Sequence, residues 1–249
     1  MPDVILSPHL DDAVLSCWHL LTQVGEVAVI NVFAGVPTEL GGPAWWDEYT
    51  GASDSAERVR ERIEEDRTAL AVAGRTAVNL GFLDEQYRSE EQPLASLTQQ
   101  IEGLLDPGVR VYAPAAFADH ADHLLVRAAA LELRAAGFEV SLYADLPHAT
   151  VRGWPVWVSG GNGSASKDLA GALWDRVLAT TDALAPTVHC LDAAAHAEKV
   201  VAVKMYDTQL QALEELAGRP IGDPEVLGYE VIWPTAPPAR AAQRAGRHR

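Results

Sequence analysis

Val4-Ile5-Leu6-Ser7-Pro8-His9-Leu10-Asp11-Asp12 (VILSPHLDD, residues 4–12) sets the frame for the rest of the chain. Val4 to Leu6 are three unbroken apolar residues, the pattern of a strand covered on both faces, and Ser7-Pro8 end it. Apolar residues then recur at helical spacing from Ala13 to Val24, with Gly25 as the stop. A second continuous run, Val27 to Phe33, predicts another two-face-buried strand. Further out, Asp54–Gly74 reads as a helix with Val59, Ile63, Leu70 and Ala73 on one stripe and Glu64-Glu65-Asp66 on a solvated face. Strands are expected at Ala77–Leu80, Val109–Ala113 and Glu139–Tyr143, alternating with helices at Leu94–Leu105 and His123–Ala136. Beyond Pro147 the pattern predicts a short strand around Trp154–Val158 and a Gly/Ser loop at 159–166. Helices near 168–180 and 193–206 and a last strand at Tyr229–Trp233 complete it. Strands separated by helices imply βαβ units: an α/β fold with a mostly parallel sheet and helices on both faces. The expected organisation is a single domain over residues 1–236 and a flexible, Arg-rich tail at 237–249. Residues 34–53 form a long connection carrying Trp45, Trp46 and Tyr49, and a loop of that length is more often functional than idle.

The chain has 249 residues with 19 Lys+Arg against 35 Asp+Glu, a net charge of −16, and 48 % hydrophobic residues. It can bury a full core without disulfides or a structural metal. The acidity argues against nucleic acid and against an anionic membrane as partner. No apolar run of ~18 residues and no basic leader stretch are visible, so the expected location is the cytoplasm. Cys17 and Cys190 are too few for a disulfide framework or a four-thiolate metal site, and read as small buried hydrophobes in a reducing compartment. The sequence gives no reading of the oligomeric state.

Two motifs carry chemistry. His9, Asp11 and Asp12 emerge at the carboxyl end of the first strand, the edge where open α/β sheets bind ligands. One aspartate suffices to cap the following helix, and two adjacent acids repel unless something positive holds them. Asp119-His120-Ala121-Asp122-His123 follows the strand ending at Ala113 and opens another helix, with its histidines three apart on nearly one side of a turn. His9, Asp12 and one of these histidines would make a two-His, one-carboxylate set, the ligand type of a catalytic zinc with an open fourth position. Magnesium-binding receiver domains also place an acidic pair here, but they need a lysine at the end of a later strand, and Lys167, Lys199 and Lys204 are elsewhere. Neither G-x-G-x-x-G nor a P-loop is present, which disfavours a nucleotide-binding module.

These motifs resemble those of the PIG-L / LmbE-like family of zinc-dependent de-N-acetylases. His9-Leu10-Asp11-Asp12 matches the family's His-Pro-Asp-Asp, and His120-Ala121-Asp122-His123 its His-x-Asp-His. Arg62, Glu65, Ala69 and Gly74 fit a helical family pattern, and Lys199 with Thr208-Gln209 a late one, so the similarity runs from about residue 3 to about residue 210. The resemblance implies a Rossmann-like fold, one Zn²⁺ per chain (or another divalent transition metal), and hydrolysis of an acetamide. It implies His9, Asp12 and His123 as metal ligands and Asp11 as general base. It also implies a protonated His120, oriented by Asp122, as general acid or oxyanion partner. Arg62 and Asp84 correspond to positions that contact polar substrate groups, although an Arg62–Glu65 ion pair is an alternative. His148, after Leu146-Pro147, could line the same cleft. Leu10 stands for the motif proline, Ala13 for a common glutamate, and Ala118 for a tyrosine of the mycothiol-precursor enzyme. The expected substrate is accordingly a small soluble N-acetyl amino sugar or glycosylated biosynthetic intermediate, with a larger acyl amide such as a thiol conjugate as the alternative.

Overall fold

The computed structural model describes residues 2–38, 42–117, 119–160 and 168–237. The described residues form one seven-stranded sheet. Its strands are β1 (Asp3–Ser7), β2 (Val27–Asn31), β3 (Ala77–Asn79), β4 (Arg110–Pro114), β5 (Glu139–Tyr143), β6 (Thr187–Cys190) and β7 (Tyr229–Pro234). In space the order is β3-β2-β1-β4-β5-β7-β6. The first five run parallel, while β7 pairs antiparallel with both β5 and β6. From β1 the chain moves first outward through β2 and β3, then crosses back to β4 on the other side. The crevice beyond the carboxyl ends of β1 and β4 is therefore the topological switch point, where such sheets bind ligands.

The helices packed around the sheet are α1 (Asp12–Ser16), α2 (Trp18–Thr22), α3 (Trp45–Tyr49), α4 (Ser55–Val72), α5 (Leu94–Glu102) and α6 (Ala121–Ala136). After them come α7 (Val156–Ser159), α8 (Leu169–Leu178), α9 (Ala193–Val203), α10 (Leu210–Ala217) and α11 (Pro224–Leu227). Trp18, Trp174 and Tyr143 are the largest side chains buried in the core. Among the described residues, no helix is long and apolar enough to cross a membrane.

Several expectations are corrected. The helix expected over Ala13–Val24 is broken at Cys17, because the Glu230 carboxylate accepts from the N–H groups of Trp18 (2.6 Å) and His19 (2.8 Å) and starts a second helix there. Glu230 also receives Lys199 Nζ at 2.6 Å, an ion pair with both side chains fully buried. Residues 34–53 are not structureless: they contain α3, whose buried Asp47 accepts from Tyr87 Oη at 2.7 Å. In the acidic run only Glu64 is solvated. Glu65 accepts from Thr208, and Asp66 is buried between Tyr206 Oη (2.9 Å) and Asn31 Nδ2 (2.7 Å). Trp154–Val158 is not a strand. Pro155 opens the short helix α7, and the Asp168 carboxylate accepts from Val156 N–H. Cys17 is buried as expected, but Cys190 lies exposed on the edge strand. Most of the Gly/Ser loop, most of the tail and Ala118 lie outside the described residues.

Gly35 shows how tightly the site's rim is held. A Cβ there would stand 2.5 Å from Gly81 O, and Gly35 N–H donates to Phe82 O at 2.9 Å. Only glycine permits this approach, which fixes the segment ending at Asp84 against the loop after β2.

Candidate active site

Ser7, the last residue of β1, organises the loop that follows. Its hydroxyl donates to His9 O (2.7 Å) and accepts from Ala13 N–H (3.0 Å). The serine thereby caps α1, and Asp11, at the N-cap position, makes no side-chain cap bond. Asp12 turns back instead to accept from His9 N–H at 2.9 Å. Neither aspartate is spent on capping the helix.

Asp12 Oδ2 lies 3.5 Å from His9 Nδ1 and 3.4 Å from His123 Nε2. One ligand atom from each of these three residues falls within 4.8 Å of the others. A carboxylate stands behind each imidazole: Asp122 Oδ2 is 3.1 Å from His9 Nε2, and Asp145 Oδ2 is 3.0 Å from His123 Nδ1. Such partners fix ring orientation and tautomer and leave the opposite nitrogen's lone pair for a metal. His123 Nε2 is buried with no hydrogen-bond partner, which costs about 1–3 kcal/mol unless a ligand satisfies it. Two imidazoles, one carboxylate and an unpaired buried nitrogen fit a divalent transition metal. His9, His120 and Asp122 are grouped as tightly. The Asp122 oxygens are already engaged, however, by Arg88 (2.6 Å), Glu85 N–H (2.9 Å) and His9, which leaves them less available to an ion than the Asp12 carboxylate.

The charges follow from these contacts. Burial favours protonation of Asp12, but His123 and His9 outweigh it and hold the carboxyl well below the usual range. Asp11 is shifted upward, by burial and then by the Asp12 charge, which suits a group that must accept a proton. Burial opposes ionisation of Asp122 as well, yet His9 and Arg88 bring it to about 2. His120 Nδ1 accepts from Asp122 N–H at 3.3 Å, which leaves the hydrogen of the neutral ring to Nε2. Burial, with His9 and His123 nearby, lowers its pKa to about 4. Asp122 meets the His120 ring through its main-chain N–H and not through its carboxylate. Ala116 and Asp119, in the loop between β4 and α6, have positive φ of 63° and 54°, a strained backbone of the kind found beside functional sites.

Of the nine residues singled out in the sequence, seven line a cavity of about 560 Å³, and His123 and Asp122 stand behind it. Arg62 does not pair with Glu65. Burial works against its charge, but Asp11 and Asp84 hold it protonated, and its Nη1 is 4.0 Å from Asp84 Oδ2. His148 lines the cavity, its ring edge-on to His123 with centroids 5.1 Å apart. Trp45 and Trp46 also line it, and Trp46 Nε1 donates to Gln209 Oε1 at 2.8 Å. Tyr49 does not line the cavity, and its hydroxyl bonds Glu215 on α10. The sequence reading missed Asp145 and Arg88. Asp145 was findable, as a carboxylate just past β5 on the same sheet edge. Arg88, which also lies over the Phe33 ring at 5.0 Å, carries no local signal.

The family model described as GlcNAc-PI de-N-acetylase (PIG-L) matches residues 4–134, from β1 through the second histidine motif and most of α6. The chain belongs to the PIG-L family. Among curated PIG-L relatives, the 2'-N-acetylparomamine deacetylase of Niallia circulans is 27 % identical over 184 residues, covering 58 % of this chain and 66 % of that protein. The 2'-N-acetylparomamine deacetylase of Streptomyces fradiae is 33 % identical over 171 residues, covering 60 % and 58 %. The chain thus spans somewhat less than two thirds of either relative. Among solved structures, the deacetylase of the A40926 pseudoaglycone superposes with a TM-score of 0.71 at 28 % identity, covering 94 % of this chain and 96 % of that one. A teicoplanin deacetylase in complex with teicoplanin, 24 % identical with a TM-score of 0.68, shares the fold. These structures have the same mostly parallel sheet with helices around it.

Proposed function

We propose that this PIG-L family member is a metal-dependent N-deacetylase that removes the acetyl group from an N-acetyl amino sugar within a glycosylated intermediate, giving free amine and acetate. The metal is zinc, one per chain, held by His9, Asp12 and His123. The observation that carries the reading is the placement of Asp11. Its carboxylate borders the cavity beside the donor set and makes no cap bond to the helix that follows it.

A bound divalent ion supplies activation of water and polarisation of the amide carbonyl. Asp11 takes one proton from the attacking water as the new C–O bond forms. His120 lines the same cavity and, with its hydrogen on Nε2, can donate to the carbonyl oxygen as negative charge builds there. When the C–N bond breaks, the proton held by Asp11 passes to the amine nitrogen. Arg62 and Asp84 present a charged donor and acceptor suited to sugar hydroxyls. The test is acetate release by the metal-loaded protein across N-acetyl amino sugars, their glycosides and long-chain acyl amides. Activity confined to amides with large acyl groups would replace this reading by a zinc amidase.

A further inference from the structure

One short turn of chain is bonded both to the carboxylate behind His9 and to the aromatic helix α3. It is the 3₁₀ turn Glu85–Tyr87, with Asp84 before it and Arg88 after it. Glu85 N–H donates to Asp122 Oδ2 (2.9 Å), and Arg88 Nη2 donates to Asp122 Oδ1 (2.6 Å). Asp122 Oδ2 is the same oxygen that meets His9 Nε2 at 3.1 Å. The two residues between them hold α3. Gln86 Oε1 accepts from Trp46 N–H (3.2 Å), and Tyr87 Oη donates to Asp47 Oδ2 (2.7 Å). The turn itself has little slack. Asp84 Oδ1 accepts from Gln86 N–H (3.1 Å), Asp84 O accepts from Tyr87 N–H (2.9 Å), and Arg88 Nη1 donates to Leu83 O (2.7 Å). Tyr87, Asp47 and Asp122 are buried, so water does not readily replace a bond lost among them.

Resting on the ligand set proposed above, we infer that Tyr87 is a positioning residue that seats α3 on this turn, while the turn holds Asp122 and through it the His9 ring. Asp47 sits buried in a helix of only five residues, and among the described residues its Oδ1 has no hydrogen-bond partner. The phenol is therefore the group that satisfies this carboxylate. Burial and then Asp47 itself push the Tyr87 pKa up, which keeps the hydroxyl a donor. On the other side, Asp122 draws a bond to each of its oxygens from this one segment, so a displaced turn would withdraw both together. The helix α3 has a separate attachment to α10 and the residue before it, through Trp46 Nε1 on Gln209 and Tyr49 Oη on Glu215, which bypasses the turn. Seating of α3 and orientation of His9 thus favour each other, and the coupling is reciprocal. Trp45 and Trp46 line the cavity, so an occupant that presses on them is felt at the metal ligands.

The experiment measures zinc affinity by competition with a chromophoric chelator. It compares the unaltered chain with Tyr87→Phe, Tyr49→Phe, Asp122→Asn and the variant carrying both Tyr87→Phe and Asp122→Asn. Asp122→Asn should lose about 10–100-fold, as carboxylates behind a ligand do, and Tyr87→Phe, one bond further out, about 5-fold. Tyr49→Phe, which loosens α3 from α10 alone, should bind zinc like the unaltered chain. With Asp122→Asn already present, Tyr87→Phe should cost nothing more, because the route is cut. Equal losses in Tyr87→Phe and Tyr49→Phe, additive losses in the double variant, or an undiminished affinity in Tyr87→Phe would each overturn the inference. Hydrogen–deuterium exchange of the unaltered chain is an arm that needs no variant. Zinc should slow exchange across α3, and an unchanged rate there would overturn the coupling. A chain that takes up no zinc would bring down the metal reading along with this one. If it takes up zinc and Tyr87→Phe holds the ion equally well, the role of Tyr87 falls alone.

Discussion

Two buried charged clusters lie on either side of α1. In one, Lys199 Nζ meets Glu230 Oε1, and the same carboxylate takes the backbone N–H groups of Trp18 and His19. Both of its carboxylate oxygens are hydrogen-bonded. In the other, His9, Asp12 and His123 are backed by Asp122 and Asp145, yet His123 Nε2 has nothing to bond. Both are buried, and both contain ionisable side chains. What separates the two is which atom is left without a partner: His123 Nε2 is a metal-ligating type of atom grouped with two other candidate donors, whereas the Lys199–Glu230 pair is a brace, bonded to itself and to the backbone.

The strongest way to break this contrast is at the unpaired atom. His123→Ala should remove most of the bound metal and abolish hydrolysis, read by elemental analysis and by acetate release. A metal-replete, active variant would dissolve the distinction. Asp11→Asn should keep the metal but lose about 10²–10⁴-fold in kcat, the worth of a general base. Metal loss in that variant would make Asp11 a ligand. On the brace side, Lys199→Met leaves a carboxylate buried without its cation and should cost about 3–5 kcal/mol of stability. Denaturant unfolding measures this, and the protein that remains folded should retain its turnover number.

The brace was the less legible cluster. Lys199 fits a late family pattern, but Glu230 sits in an apolar strand where nothing local foretells that it caps a helix over two hundred residues away. The site was legible for the opposite reason: His9, Asp12 and His123 occur in short motifs next to readable strands. The first parallel strands could be placed because continuous β-branched runs have one interpretation in an α/β chain. The antiparallel β6 could not, since Thr187–Cys190 is four residues long and half exposed. The break at Cys17 and the burial of Asp66 were hidden likewise. Each depends on a partner distant in sequence, Glu230 in one case and Tyr206 in the other.

Two smaller effects sharpen the comparison. Asp145→Asn keeps the shape behind His123 but removes the charge, and should weaken metal affinity about 10–100-fold. Metal competition measures it, and an unchanged affinity would show that the carboxylate only packs there. Asp66 resembles the brace in being buried, but it has no cation against it. Burial raises its pKa from 3.8 to about 7, against the pull of the Tyr206 and Asn31 hydrogen bonds. Between pH 4 and 7 the folded state therefore binds more protons at this site than the unfolded state does. Stability should fall across that window, by at most about 1.4 kcal/mol per pH unit. Asp66→Asn should flatten this part of the stability curve. An identical slope in the variant would place the titration elsewhere.

The helix break at Cys17 has a consequence for how the molecule is assembled in time. The three proposed metal ligands lie within the first 123 residues, but α1, which carries Asp12, ends against a helix started by Glu230, 212 positions later than Trp18. Contacts of such separation close last during folding, since loop entropy must be overcome before they contribute. As the chain is synthesised, all three ligands exist well before the strut that seats α1. Uptake of the ion is then a finishing step, completed after the last strand has slotted between β5 and β6, and a partial chain ending before it should hold its metal loosely.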